Sequence, residues 1–171
     1  MQTFTATGDS RVIIEQIGNS NAATVTQVGS RNFTQYRAHG SNNTANITQN
    51  SNNSTNYVET TIQGSNNSTT INQSGTGGTR SVLATVANNG NSINVQQQNA
   101  GSHYAEINLS GGNKTVSVTQ SGSGNHMARI ELSGGSTSIT TTQTGSTQQH
   151  YSITHNCATA SCAAITVTQG Q

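Results

Sequence analysis

The chain has 171 residues, 29% hydrophobic, 6% charged and 4% aromatic, with 18 Gly, no Pro, no Trp and a formal net charge of +1. A conventional apolar core under a charged shell is excluded by this composition, and a balance of six basic against five acidic residues leaves no broad positive surface for nucleic acid. No 18-residue apolar run spans a membrane as a helix, and no charged-then-apolar leader precedes the first repeat, so an exported form implies a signal already removed.

Asn, Gln, Ser, Thr and Gly fill the remainder. An uncharged polar chain without Pro lacks the charge and Pro content of a typical disordered segment and suits stacked β structure. Residues 1–9 read as a flexible N-terminal segment. From residue 10 a Gln closes a short alternating stretch at Gln27, Gln49, Gln73, Gln97, Gln120, Gln143 and Gln169, with spacings of 22, 24, 24, 23, 23 and 26. Seven repeats follow: 10–29, 30–51, 52–75, 76–99, 100–122, 123–145 and 146–171.

Taken in chain order, each repeat holds two period-two stretches. The first comprises Val12, Ile14 and Gln16, then Thr34, Tyr36 and Ala38, Val58, Thr60 and Ile62, and so on to Tyr151, Ile153 and His155. The second runs back from each anchor: Ala23 and Val25, Ala45 and Ile47, Thr69 and Ile71, through Ile165 and Val167, with mainly polar residues between. This alternation predicts strands with one face in and one out. Gly18, Gly40, Gly64, Asn88, Gly111 and Gly134 stand nine residues before an anchor, at turns that tolerate positive φ. The expected architecture is all-β: a seven-coil flattened β-solenoid of strand–turn–strand repeats about 23 residues long, stacked in cross-β fashion into a rod roughly 33 Å long.

Equal positions in neighbouring coils then lie about 4.8 Å apart. Glu15 with Arg37, and Glu106 with Arg129, fall in such positions and are expected to pair. The Gln anchors are expected to form an inward amide ladder, because a buried amide without partners costs about 1–3 kcal/mol and a like residue above and below satisfies it. Phe33, Tyr57, Tyr104 and Met127 form a row expected to cover a strand edge. His103 and His126 read as solvent-facing turn residues one coil apart, with a weak two-imidazole metal site as the alternative. Cys157 and Cys162, in the enlarged last turn, read as a disulfide in an exported chain. No catalytic residues, metal or cofactor are expected: the carboxylates Asp9, Glu15, Glu59, Glu106 and Glu131 are spread over separate coils.

The first repeat, with Ser10, Gln16, Gly18, Asn21, Ala23 and Gln27, resembles the curlin repeat of curli fibre subunits; only its second Gly is replaced, by Ser20. The second repeat keeps Gly40, Asn43, Ala45 and Gln49 but carries Asn32 and Ala38 where the family has Ser and Gln. Later repeats have Ile62, Val86, Leu109, Leu132 and His155 at that first Gln, so one face is more apolar than the family pattern. The resemblance implies a secreted subunit of an extracellular functional-amyloid fibre that supports biofilm matrix and adhesion. Its implied partners are copies of itself, a nucleator subunit and secretion chaperones. Two other readings fit the repeats: a monomeric Thr-faced solenoid of the ice-binding type, through Thr24, Thr26, Thr140, Thr142, Thr166 and Thr168, and a phage or adhesin stalk.

Overall fold

The computed structural model describes residues 1–171 and contains fifteen β-strands, numbered here in chain order. Odd-numbered strands form one parallel sheet, sheet A: β1 Gln2–Ala6, β3 Ala22–Val28, β5 Thr44–Asn52, β7 Ser68–Thr76, β9 Ser92–Gln98, β11 Lys114–Ser121, β13 Thr137–Thr144 and β15 Ile165–Gly170. The even-numbered strands form a second parallel sheet, sheet B: β2 Ser10–Arg11, β4 Asn32–Phe33, β6 Thr55–Asn56, β8 Thr79–Ser81, β10 His103–Tyr104, β12 His126–Ile130 and β14 Gln149–Ile153. Each coil contributes one strand to each sheet. The protein is a β-solenoid of about seven turns.

Register follows the anchors. Gln27 pairs with Gln49, Gln49 with Gln73, Gln73 with Gln97, Gln97 with Gln120, Gln120 with Gln143 and Gln143 with Gln169. A slip of one residue would turn the apolar row outward and the Thr row inward, so burial holds this register. The interior is a column of 23 buried apolar residues, including Val25, Ile47, Ile71 and Val95 from sheet A facing Ala38, Ile62, Val86 and Leu109 from the opposite arc. Small and large residues share the rows of the column, for example Ala45 and Ile93 in one row, and Ala84 and Ile107 in another.

Two expectations are corrected. Residues 1–9 are not a loose leader: Gln2–Ala6 pair in parallel with Ala23–Gln27 and add an eighth strand to sheet A. The signal was the alternation of Thr3 and Thr5 with Phe4, which continues the outward Thr rows of the repeats. The first alternating stretch of each repeat also differs. Its residues point inward, with Thr34, Tyr36 and Ala38 buried, yet hydrogen-bonded ladder is confined to a short segment before it in most coils. Positive φ at Tyr36 (46°), Thr60 (133°), Ala84 (56°) and Ile107 (112°) bends the backbone out of regular strand.

The turns need their glycines for space as well as conformation. Gly18 has φ of 96°, and a β-carbon there would lie 2.2 Å from the carbonyl oxygen of Gly40 in the next coil. Coils therefore approach backbone to backbone at this corner.

Because the interior is one atom-filled column, Ile71→Ala is expected to cost about 2–5 kcal/mol in urea unfolding. A loss below about 1 kcal/mol would mean that the column is loosely packed.

Candidate functional site

The chemistry of the interior is carried by amides. Gln27 Nε2 donates to Gln49 Oε1 at 2.8 Å, Gln49 to Gln73 at 2.9 Å, and Gln73 to Gln97 at 2.9 Å. The row continues from Gln97 to Gln120 at 2.8 Å, Gln120 to Gln143 at 2.9 Å and Gln143 to Gln169 at 3.0 Å. Each amide has a second N–H, and that one crosses the interior. Gln27, Gln49, Gln73, Gln97, Gln120 and Gln143 donate to the backbone carbonyls of Arg11, Phe33, Tyr57, Ser81, Tyr104 and Met127 at 2.6–3.1 Å. One side chain thus joins adjacent coils along the axis and the two sheets across it. The first six of these residues are fully buried.

A second amide row sits six residues before each anchor at the corner of the coil. Asn21 Oδ1 accepts from the backbone N–H of Asn43, Asn43 from that of Asn67, Asn67 from that of Asn91, and Asn91 from that of Lys114, all at 2.9–3.1 Å. The Nδ2 atoms of Asn21, Asn43 and Asn67 donate to the carbonyls of Gly40, Gly64 and Asn88 at 2.6–2.9 Å. Lys114 takes over this role in the fifth coil: its Nζ donates to Gly135 O at 2.8 Å, and burial lowers its pKa. Asn67 and Asn91 extend the Asn21 and Asn43 positions of the repeat at a constant offset from the anchor, and Lys114 and Thr137 replace the Asn there in the fifth and sixth coils.

A third column lies in sheet B, where Ser10, Asn32, Asn56, Arg80, His103, His126 and Gln149 stack in register. Asn56 Nδ2 donates to Asn32 Oδ1 at 2.9 Å, and Asn32 Nδ2 to Ser10 Oγ at 3.3 Å. Arg80 is fully buried, donates to the carbonyls of Gly77 and Asn99, and has its pKa lowered by desolvation. The expectation of solvent-facing histidines is corrected here. His103 and His126 are each 1% exposed and stack with ring centroids 5.1 Å apart. Their Nε2 atoms donate to the carbonyls of Gln98 and Ser121 at 2.8 and 2.9 Å, which leaves both Nδ1 atoms buried without partners. Parallel rings this far apart do not converge their lone pairs on one metal ion.

The remaining predicted residues divide. Ser10 Oγ bonds the carbonyls of Thr7 and Gly29, Ala23 and Ala45 are buried in the column, and Gly18 and Gly40 form the close corner. Gln16 is half-buried, and its Nε2 has no partner. Glu106 lies 3.8 Å from Arg129, which also pairs with Glu131. Glu15 and Arg37 form no ion pair: both are exposed, where solvent competes for each charge and such pairs contribute little. Phe33 stacks on Tyr57 at 5.3 Å, with the Arg11 guanidinium over Phe33, so this row covers part of sheet B. Glu59 and Glu106 accept from the hydroxyls of Tyr57 and Tyr104 at 2.5 and 3.0 Å. Cys157 and Cys162 are joined as a disulfide; His155 lies beside them, but sulfurs bonded to each other offer no thiolate to a metal.

The geometry defines a class: a β-solenoid whose coils are stitched together by internal polar rows. Within that class, the family model described as Curlin associated repeat matches residues 8–35, so the chain carries a curlin repeat across its first coil and into its second. No curated protein and no solved structure matches the chain.

Two outcomes test these rows. Gln73→Leu removes the acceptor of Gln49, the donor to Gln97 and the donor to Tyr57 O, and is expected to cost at least about 2 kcal/mol in urea unfolding. The outward Asn72→Ser should stay within about 0.5 kcal/mol of the parent. The second outcome concerns acid. Desolvation, together with the neighbouring charges of His126 and Arg80, lowers the His103 pKa from 6.5 to about 4. The unfolded chain therefore binds more protons between these values, so the stability due to neutral His103 is intact above pH 6.5 and is lost as pH falls towards about 4. His103→Gln is expected to flatten that part of the stability profile measured by urea unfolding at successive pH values.

Proposed function

We propose that this protein is a structural subunit of an extracellular, curli-like functional-amyloid fibre, growing by head-to-tail stacking of end coils. The observation that carries the reading is the pair of open sheet ends. Parallel strands with an axial amide row finish at β1 and β2 on one side and at β14 and β15 on the other, and no helix lies over either end. Strand edges of this kind present unpaired N–H and C=O groups, which natural monomers blunt with Pro, charge or a cover. Here Pro is absent, and β1 carries no charged side chain.

The curlin repeat at residues 8–35 supports the same conclusion, as does the disulfide, which suits an oxidising compartment outside the cytoplasm. On this reading the work of the protein is mechanical and non-enzymatic, in biofilm matrix and surface adhesion. Its partners are further copies, with a nucleator subunit and secretion chaperones as accessory proteins. No helix is long and apolar enough to cross a membrane. The ice-binding alternative is less well supported, since Asn46, Asn94, Asn72 and Gln96 interrupt the outward Thr rows of sheet A.

Purified protein incubated above its critical concentration is expected to form unbranched fibres with a meridional spacing of about 4.7–4.8 Å, seen by thioflavin fluorescence, electron microscopy and fibre diffraction. A stable monomer under seeded conditions would overturn the reading.

A further inference from the structure

We propose that β1 is a displaceable occupant of the edge on which a second copy of the chain adds, and that β15 of the incoming copy takes its place. The inference rests on the fibre reading and names the joint.

Strand β1 fills the position of a coil without supplying the chemistry of one. It lies on β3 with Gln2 opposite Ala23, Phe4 opposite Val25 and Ala6 opposite Gln27. All five of its residues are exposed; Phe4 is 67% exposed although it stands on the row of the fully buried Val25. Ala6 occupies the Gln row and has no amide to give. The result is visible one rung away: Gln27 Oε1 is buried and receives no hydrogen bond. Each of the other six anchor oxygens accepts from the preceding Gln. A buried acceptor left unpaired costs about 1–3 kcal/mol.

The missing donor exists at the opposite end. Gln169 accepts from Gln143, and its own Nε2 has no further rung to bond. Laying β15 of one copy on β3 of another in the register that β13 and β15 already use places Ile165 on Ala23, Thr166 on Thr24, Val167 on Val25, Thr168 on Thr26 and Gln169 on Gln27. The amide row, the apolar row and both Thr rows then continue across the joint. Strand number agrees as well. With β1 in place, sheet A has eight strands and sheet B seven, so a copy stacked on β1 leaves sheet B one rung short. With β1 displaced, each sheet contributes seven strands and both cross the joint without a gap. Strand β1 therefore guards the edge in the free protein and yields to a better-matched strand.

The test uses seeded elongation of the full chain followed by thioflavin fluorescence. Ala6→Gln gives β1 the missing amide and is expected to slow elongation about two- to tenfold, the worth of one buried hydrogen bond. Thr5→Pro removes a strand N–H from β1 and is expected to speed elongation by a similar factor. A direct readout comes from mixed fibres of single-cysteine-addition variants. Parallel neighbours lie within disulfide reach, so Thr26→Cys in one copy and Thr168→Cys in another should cross-link on oxidation. Fibres in which Thr5→Cys cross-links to Thr168→Cys instead, or in which Ala6→Gln and Thr5→Pro elongate like the parent, would overturn the displacement of β1 while leaving the fibre reading intact. A parent chain that forms no fibres would overturn both.

Discussion

The structure depends on one interaction used in two directions. Each buried anchor amide donates one hydrogen along the rod to the next Gln and the other across the interior to a carbonyl of sheet B. A Leu at the same position would fill the space but give up both bonds, and a carbonyl such as Phe33 O, which also accepts from Val58 N–H, would keep only its backbone donor and lose its tie to sheet A. A chain with so little apolar surface cannot rely on area alone, and the doubly bonded amide lets a polar residue serve as core. The same demand explains the Asn row, where Oδ1 accepts from the next coil's N–H while Nδ2 ties down a turn carbonyl.

These rows also make the molecule directional. Every Gln donates towards the C-terminal end, so the column has an acceptor end at Gln27 and a donor end at Gln169. A stack of such units with all amides satisfied must keep one polarity, because reversing a unit brings acceptor against acceptor or donor against donor. The head-to-tail growth proposed above is therefore favoured by hydrogen-bond direction as much as by strand geometry.

The middle coils carry a different chemistry from the first. Amides at the start of the sheet B column give way to Arg80, His103 and His126, all buried, the last two stacked face to face. Such groups piled at one strand spacing are tolerated because Arg80 and the Nε2 atoms of both imidazoles donate to backbone carbonyls, and burial lowers the pKa of Arg80 and of His103. The last coil differs again, with an enlarged turn closed by the Cys157–Cys162 disulfide. Although the backbone repeats, its coils are chemically distinct.

Periodicity made the fold and the Gln row legible from the sequence alone: an anchor recurring at 22 to 26 residues, with alternation behind it, allows one stacking register, because any slip exposes the apolar set. Side-chain direction in the arcs, partner choice and burial were decided only in three dimensions. His103 and His126 look like polar turn residues in one dimension and become interior when Arg80 and Gln149 stack on either side. Glu15 and Arg37 share a slot in the alignment, yet both remain in solvent, where nothing holds them together. The cross-sheet bond of each Gln joins residues 16 apart in sequence through a backbone carbonyl, a partner that every residue possesses and that no pattern of residue types can single out.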